Sequence, residues 1–197
     1  SLVVSAPAPF VYRNPVTGID YVVPIGTTDD FENSVSAWSE RAGSNAENGS
    51  IFYYCGHGLS AGVRDCMLSR SFGQKPNRHL DGVFERSALV NAMRSLGPKH
   101  QLFVFDTCRN ESPELLENGT SLPSLLNARP GAISAGEVQQ CRLLATGEGQ
   151  QAFGETEGIS LFSREFLAAC RSAGSKVRRE WWVDATSLLQ HTDRFLS

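Results

Sequence analysis

The chain predicts an α/β fold in which a mostly parallel sheet lies between two layers of helices, and three observations carry that prediction. Two apolar runs rich in aromatic and β-branched residues, Ile51 to Gly56 and Leu102 to Phe105, read as buried strands. A stretch with helical spacing of its apolar residues separates them, as a crossover between parallel strands requires. Strand-like and helix-like segments go on alternating to the end of the chain. At 197 residues the chain suits a single domain, 1–197, large enough for a three-layer core.

The elements follow in order. Pro7, Pro9 and Pro15 give residues 1–20 an extended, turn-rich reading, with Leu2-Val3-Val4 as a candidate short strand. Tyr21 to Gly26 reads as a short strand that Pro24 confines to an edge or terminal position. Thr28-Asp29-Asp30 supplies the cap of a helix from Phe31 to about Ala42, with Phe31, Val35 and Trp38 on its apolar face. Ser44 to Ser50 is a polar loop into the first strand of the pair. The long segment after His57, rich in Gly, Arg and Ser, carries a small hairpin around Val63 to Leu68; loops of this length are more often functional than idle. Val83 to Leu96 is the crossover helix, with Val83, Leu89, Val90, Met93 and Leu96 inward and Gly97-Pro98 as its stop.

Beyond the second strand, residues 111–140 have the Glu, Ser, Gly, Asn and Pro content of a linker. Arg142 to Thr146 restarts the sheet, and Gly147 to Gln150 forms a turn. Ile159 to Cys170 is a helix with Leu161, Phe162, Phe166, Leu167 and Cys170 inward. Trp181-Trp182-Val183 and a helix from about Thr186 to Leu196 close the chain. There is no internal repeat.

Composition narrows the function classes. A net charge of −3 lacks the basic excess of a nucleic-acid binder. No apolar run approaches the roughly 20 residues that cross a bilayer, and no secretory signal opens the chain, so neither nucleic acid nor membrane is expected as a partner. Five cysteines, odd in number and without a Cys-x-x-Cys pair, argue against a disulfide framework and for a reducing, cytoplasmic setting. Cys55, Cys141 and Cys170 read as small buried hydrophobes, whereas Cys66 lies in a more polar stretch. Cys55, His57 and Cys66 make a conceivable zinc set, but their spacing fits no common finger or ribbon, so no metal and no cofactor is expected. The chain opens on Ser1 rather than Met, which leaves room for an upstream sensor or regulatory domain in a longer protein.

The candidate chemistry lies where the two strands end. Each apolar run finishes in a polar tail holding one member of a thiol–imidazole pair, His57 in Gly56-His57-Gly58 and Cys108 in Asp106-Thr107-Cys108-Arg109-Asn110. In open parallel sheets ligands bind at the carboxyl ends of the strands, so neighbouring strands would bring both residues to one rim. Only the thiolate of a cysteine attacks; an imidazole can take its proton and later protonate a leaving amine. The glycines around His57 suit a sharp turn, and Gly58 offers an unobstructed N–H that could form an oxyanion hole with the N–H of Cys108. Gly-His-Gly or Asp-x-Cys alone is a weak signal, since a histidine often caps a sheet as a neutral hydrogen-bonding group; together, in order and across a crossover helix, they are a strong one.

These motifs resemble the caspase and metacaspase superfamily of cysteine peptidases, most closely its bacterial caspase-like members. Residues 51–58 resemble the family's aromatic strand ending in Gly-His-Gly, and residues 106–110 resemble the bacterial Asp-Ala-Cys-Arg-Asn form of the nucleophile motif. The 51 residues from His57 to Cys108 agree with the family's spacing of about 50. A third element, Leu144-Ala145-Thr146, Gly149-Gln150, Ala152 and Ser160 to Ser163, follows the family's strand, turn and small-subunit helix, so the resemblance runs over roughly residues 21–190. It implies a caspase-like three-layer α/β/α sandwich with a large-subunit-like part at 1–110, an inter-subunit-like linker at 111–140 and a small-subunit-like part at 141–197. It also implies a bacterial caspase-like effector that cleaves a protein or peptide substrate, with His57 as general base, Cys108 as nucleophile, and Gly58 and Cys108 as oxyanion donors.

Asp106 stands two positions before the nucleophile, where metacaspases carry an Asp that pairs with substrate Arg or Lys and caspases carry Gln. The resemblance therefore implies cleavage after Arg or Lys; the alternative is that Asp106 caps local backbone N–H groups. Asp65 and Glu148 are further carboxylates that could add charge to the same pocket. Arg109 and Asn110 replace the His and Ser common in metacaspases, which leaves calcium regulation without support. In the linker Arg129 precedes Pro130, and Arg142 opens a strand expected to be buried, so activity without internal cleavage is expected. Two other readings stay open: an inactive caspase-like interaction module, and a Cys–His acyl enzyme of different specificity, such as a transpeptidase or amidase.

Overall fold

The computed structural model describes residues 2–61, 64–78, 80–112, 122–127, 137–146, 159–172, 175–177, 180–182 and 185–196. Its centre is a parallel three-stranded sheet in the order β3 (Gly49–Gly56), β7 (His100–Thr107), β9 (Gln139–Leu144). Helices α1 (Thr28–Gly43) and α2 (Arg86–Leu96) cover one face, and α3 (Leu161–Ser172) and α4 (Ala185–Leu196) cover the other. The protein is thus an α/β sandwich of three layers around a mostly parallel sheet.

The strands form where they do because their side chains suit both layers. Phe52, Phe103 and Phe105 point to the α1/α2 side, where Val35, Leu89, Val90 and Met93 bury them. Val104 and Leu143 point to the other side, against Phe162, Phe166, Ala169 and Leu188. Strand β7 is the middle strand, so both its faces are dry: every residue from Phe103 to Thr107 is buried. Strand β3 alternates instead, with Ser50 and Phe52 buried while Ile51 and Tyr53 are 64% and 44% exposed.

A polar device aligns the far end of this sheet. Gln101 and Gln140 are register partners on β7 and β9. The buried Gln101 amide donates to the Met93 and Pro98 carbonyls at 2.9 and 2.8 Å. Its oxygen accepts from Gln140 Nε2 at 2.9 Å, and that nitrogen also donates to the Val90 carbonyl at 2.8 Å. Arg94 completes the set by donating to Gln140 Oε1 at 2.7 Å. Each amide group is satisfied, as burial demands.

Beside the central sheet, at its carboxyl rim, lies a second small sheet in the order β6 (Val83–Glu85), β5 (Arg64–Leu68), β4 (Gly58–Ala61), β8 (Asn110–Glu111). The segment after His57 therefore holds a fuller hairpin than expected, beginning at Gly58 itself. Val83 and Phe84, expected to start the crossover helix, form strand β6 instead: a β-branched and an aromatic residue pair with Leu68 and Met67 and bury completely, and the helix begins at Arg86.

Other boundaries shift for similar local reasons. The candidate strand at Leu2-Val3-Val4 does not form. Phe10–Arg13 (β1) and Asp20–Val23 (β2) make an antiparallel hairpin outside the central sheet. Helix α1 starts one residue after Thr27, which forms a reciprocal capping box with Asp30. In α3, Phe162, Phe166 and Ala169 face inward, but Leu161, Leu167 and Cys170 are exposed. Short strands β10 (Ser175–Val177) and β11 (Glu180–Trp182) pair antiparallel between α3 and α4. The expected linker is not wholly detached, since Leu122 and Leu125 are buried in the core. Arg142 lies within β9 but its side chain is exposed, contrary to its expected burial. Arg129, Pro130, Glu148 and the Gly147 to Gln150 turn lie outside the described residues. No described helix is long and apolar enough to cross a membrane.

Phe103 is fully buried at the crossing of the α1/α2 core and the central strand. Phe103→Ala should cost about 3–5 kcal/mol of unfolding free energy, read from the midpoint of a urea titration.

Candidate active site

Strands β3 and β7 run parallel for eight residue pairs, the last being Gly56 with Thr107. His57 and Cys108 are the next residue on each strand, so both leave the sheet at the same rim. The chain around them is held close. A Cβ added to Gly58 would fall 2.6 Å from the Cys108 carbonyl oxygen, 2.9 Å from Thr107 Cβ and 3.0 Å from the Cys66 carbonyl oxygen. The residue after His57 therefore packs backbone to backbone on Cys108. His57 itself is exposed and Cys108 is partly buried.

The two glycines around His57, expected to allow a sharp turn, permit close approach of neighbouring atoms. Among the described residues neither adopts the left-handed backbone found at Gly26 or Gly82. At Gly56 a Cβ would meet the Tyr54 hydroxyl at 2.8 Å. Through that opening Tyr54 reaches the carbonyls of His57 and Leu68, at 2.9 and 2.7 Å. The Leu68 N–H in turn donates to the Tyr54 hydroxyl at 3.1 Å and to the His57 carbonyl at 3.2 Å. Burial pushes the Tyr54 phenol well above its usual range, so it remains a donor at neutral pH. Tyr54 thus fixes the backbone of His57 from below, a role nothing in the local sequence announced.

Asp106 is buried, 3% exposed, on the α3 side of the sheet. The hydroxyls of Ser160 and Ser163 both donate to its Oδ2, and the Cys55 thiol lies 3.6 Å from the same oxygen. Ser160 is also the cap of α3, its Oγ accepting from the Ser163 N–H at 3.0 Å. The carboxylate therefore sits at the amino end of a helix, where the peptide dipoles favour negative charge. The Tyr53 hydroxyl extends the network to Ser163, and burial raises that phenol to about 12. Among the described residues its contacts run to side chains rather than to the backbone N–H groups considered above.

The remaining candidates separate cleanly. Asp65 does not join Asp106: it is buried and bonded to Arg86 and Arg109. Of the cysteines expected to be buried, Cys55 and Cys170 are exposed and Cys141 is intermediate, while Cys66 is the buried one because β5 turns it inward. Partial desolvation raises the thiols of Cys55, Cys141 and Cys170, the Asp106 charge adding to the effect at Cys55; burial takes Cys66 to about 11. Those four thiols hold their protons at neutral pH. Among the described residues no group of His, Cys, Asp and Glu is gathered to hold a metal ion, so Cys55, His57 and Cys66 do not form the zinc set considered above. An apolar cavity of about 660 Å³ runs along β3 from Trp38 and Phe31 to His57, but neither Asp106 nor Cys108 lines it.

Gly58→Ala tests the close contact directly. The added methyl meets backbone atoms, which cannot rotate away, so the variant should lose about 1–3 kcal/mol of stability, measured by thermal or urea unfolding. An unchanged midpoint would show that the two loops are further apart than the structure places them.

Comparison with known proteins agrees with this architecture. A curated protein of Sinorhizobium fredii (strain NBRC 101917 / NGR234), described as the uncharacterized protein y4kE, is 26% identical over 143 residues. That alignment covers 72% of this chain and 41% of the relative, so the chain spans less than half the length of the curated protein it matches. The family model described as the caspase domain, of the C14 peptidases, matches residues 21–197, which takes in both strand ends, the rim sheet and the four described helices. On that match the chain belongs to the caspase domain family.

Proposed function

We propose that the protein is a cysteine endopeptidase in which Cys108 is the nucleophile and His57 the general base, cleaving after Arg in preference to Lys. The observation that carries this reading is the shared rim: both residues follow directly on the terminal register pair Gly56 and Thr107. In the first step His57 takes the thiol proton and the Cys108 sulfur bonds to the scissile carbonyl carbon. The oxyanion formed there is received by the N–H groups of Gly58 and Cys108. Collapse breaks the C–N bond, His57 protonates the leaving amine, and a thioester remains on Cys108. Water, deprotonated by His57, then attacks the thioester and releases the carboxylate product and the thiol.

Specificity follows from the buried carboxylate. Among the described residues the donors to Asp106 converge on Oδ2, and this reading takes Oδ1 as the oxygen that meets an incoming cation. A guanidinium presents a planar fork to such a carboxylate, whereas an ammonium is a point charge, so Arg is favoured over Lys and an acidic side chain is repelled. The contacts with Ser160 and Ser163 also support a second reading, in which Asp106 ties β7 to α3 and takes no part in selection.

Two experiments test the proposal. With limiting iodoacetamide at neutral pH, label should appear first on Cys108, because in this reading His57 takes its proton while burial pushes the other four thiols up, and Cys108→Ala should abolish cleavage of a peptide ending in Arg. Full activity in that variant removes Cys108 from the chemistry. Asp106→Asn keeps the side-chain shape, and the preference for Arg over Asp at the cleaved position should fall by about 2–4 kcal/mol in log kcat/KM. A variant that loses thermal stability while keeping its preference for Arg would assign Asp106 to the strand–helix tie alone.

A further inference from the structure

We infer that Asp65 is a positioning residue whose buried carboxylate locks the arginine after Cys108 to the hairpin after His57, and thereby sets the separation of imidazole and thiol. The inference rests on the proposed Cys108–His57 chemistry and adds a residue that touches neither group. Asp65 lies on β5, the second strand of the hairpin that starts at Gly58. Its Oδ1 accepts from Arg109 Nε at 2.9 Å, and its Oδ2 accepts from Arg86 Nη2. Arg109 directly follows Cys108, and Arg86 is the first residue of α2. One carboxylate thus joins three separate segments.

The contacts are sheltered: the Asp65 side chain is 8% exposed and both arginine side chains are 15% exposed. The Arg86 guanidinium also lies 5.1 Å over the ring of Phe105, three residues before Cys108, which anchors the clamp to the central strand. Charge-assisted hydrogen bonds in such surroundings are directional and strong. Backbone pairing across the same gap is short: β8 has two residues and meets β4 at Leu59 with Asn110 and Ser60 with Glu111, and the Ser112 N–H donates to the Ser60 carbonyl at 2.9 Å. Once the chains leave the central sheet at Gly56 and Thr107, this ion cluster is a buried side-chain link between the two rim loops. A reacting pair is sensitive to such a link, since a misplacement of about 1 Å can cost on the order of a hundredfold in rate.

The test uses the whole chain and a short bifunctional alkylator, 1,3-dibromoacetone, which joins a thiol to an imidazole only when the two are neighbours. In the native chain Cys108 and His57 should cross-link, mapped by mass spectrometry. In Asp65→Asn, single alkylation of Cys108 should persist, while cross-link formation and kcat both fall by about ten- to a hundredfold with KM nearly unchanged. If Asp65→Asn does not fold, Arg109→Gln carries the same test, because it leaves Asp65 paired with Arg86. Folded variants that cross-link and turn over at the native rate overturn the inference. So does a loss of turnover that only follows the fraction folded. A native chain that cross-links but cleaves no peptide, with the variants still failing to cross-link, keeps the clamp and sinks the endopeptidase reading. Failure of the native chain to cross-link overturns both.

Discussion

The parallel pairing of β3 with β7 is the constraint on which the rest of the molecule depends. Parallel ladders need a crossover, and here the crossover supplies the rim hairpin, β6 and α2 before the chain returns as β7. Because side chains alternate along β7, one strand feeds both cores: Phe103 and Phe105 to α1 and α2, Val104 and Asp106 to α3. A slip of one residue would exchange those faces, burying Asp106 among phenylalanines and turning Phe105 toward serines. The register that places His57 opposite Cys108 is therefore the same register that lets the domain fold.

Two buried carboxylates flank that rim with different surroundings. Asp106 meets neutral hydroxyls, a thiol and a helix amino terminus, an environment that holds a charge without neutralising it. Asp65 meets two guanidinium groups, which consume its charge. The partners of the first are neutral; those of the second are two cations. The contrast explains why two aspartates near one cysteine do not form a single acidic pocket.

Much of this was legible in the residues. The two aromatic runs and the Gly97-Pro98 stop specified the strands and the end of the crossover, and Thr28-Asp29-Asp30 placed the helix start within a turn, the cap itself being Thr27, because periodicity and capping act locally. The adjacency of His57 and Cys108 followed from parallel strands alone. What stayed hidden depended on partners distant in the chain. Val83-Phe84 has helical spacing with Leu89 and Val90, yet it forms a strand because β5 offers it an edge. Cys66 looked polar by its neighbours and is buried by its pleat, while Cys55 looked buried and is exposed on β3, its thiol beside Asp106. Nothing beside Asp65 indicates Arg86 or Arg109, and nothing beside Asp106 indicates Ser160; these contacts exist only once four elements have docked.

The paired amides of Gln101 and Gln140 bear on how this domain can change. They join β7 to β9 at the end of the sheet opposite His57 and Cys108, and every group in them has its partner. A shift of β9 along β7 would leave the buried Gln101 oxygen without its Gln140 donor, which disfavours any other alignment. The strand that follows the long connection is thus keyed by a lock at the base of the sheet, independent of the connection itself. Changes in the segment between β8 and β9 that spare the buried Leu122 and Leu125 then leave that alignment in place, and with it the strand ends at the opposite rim.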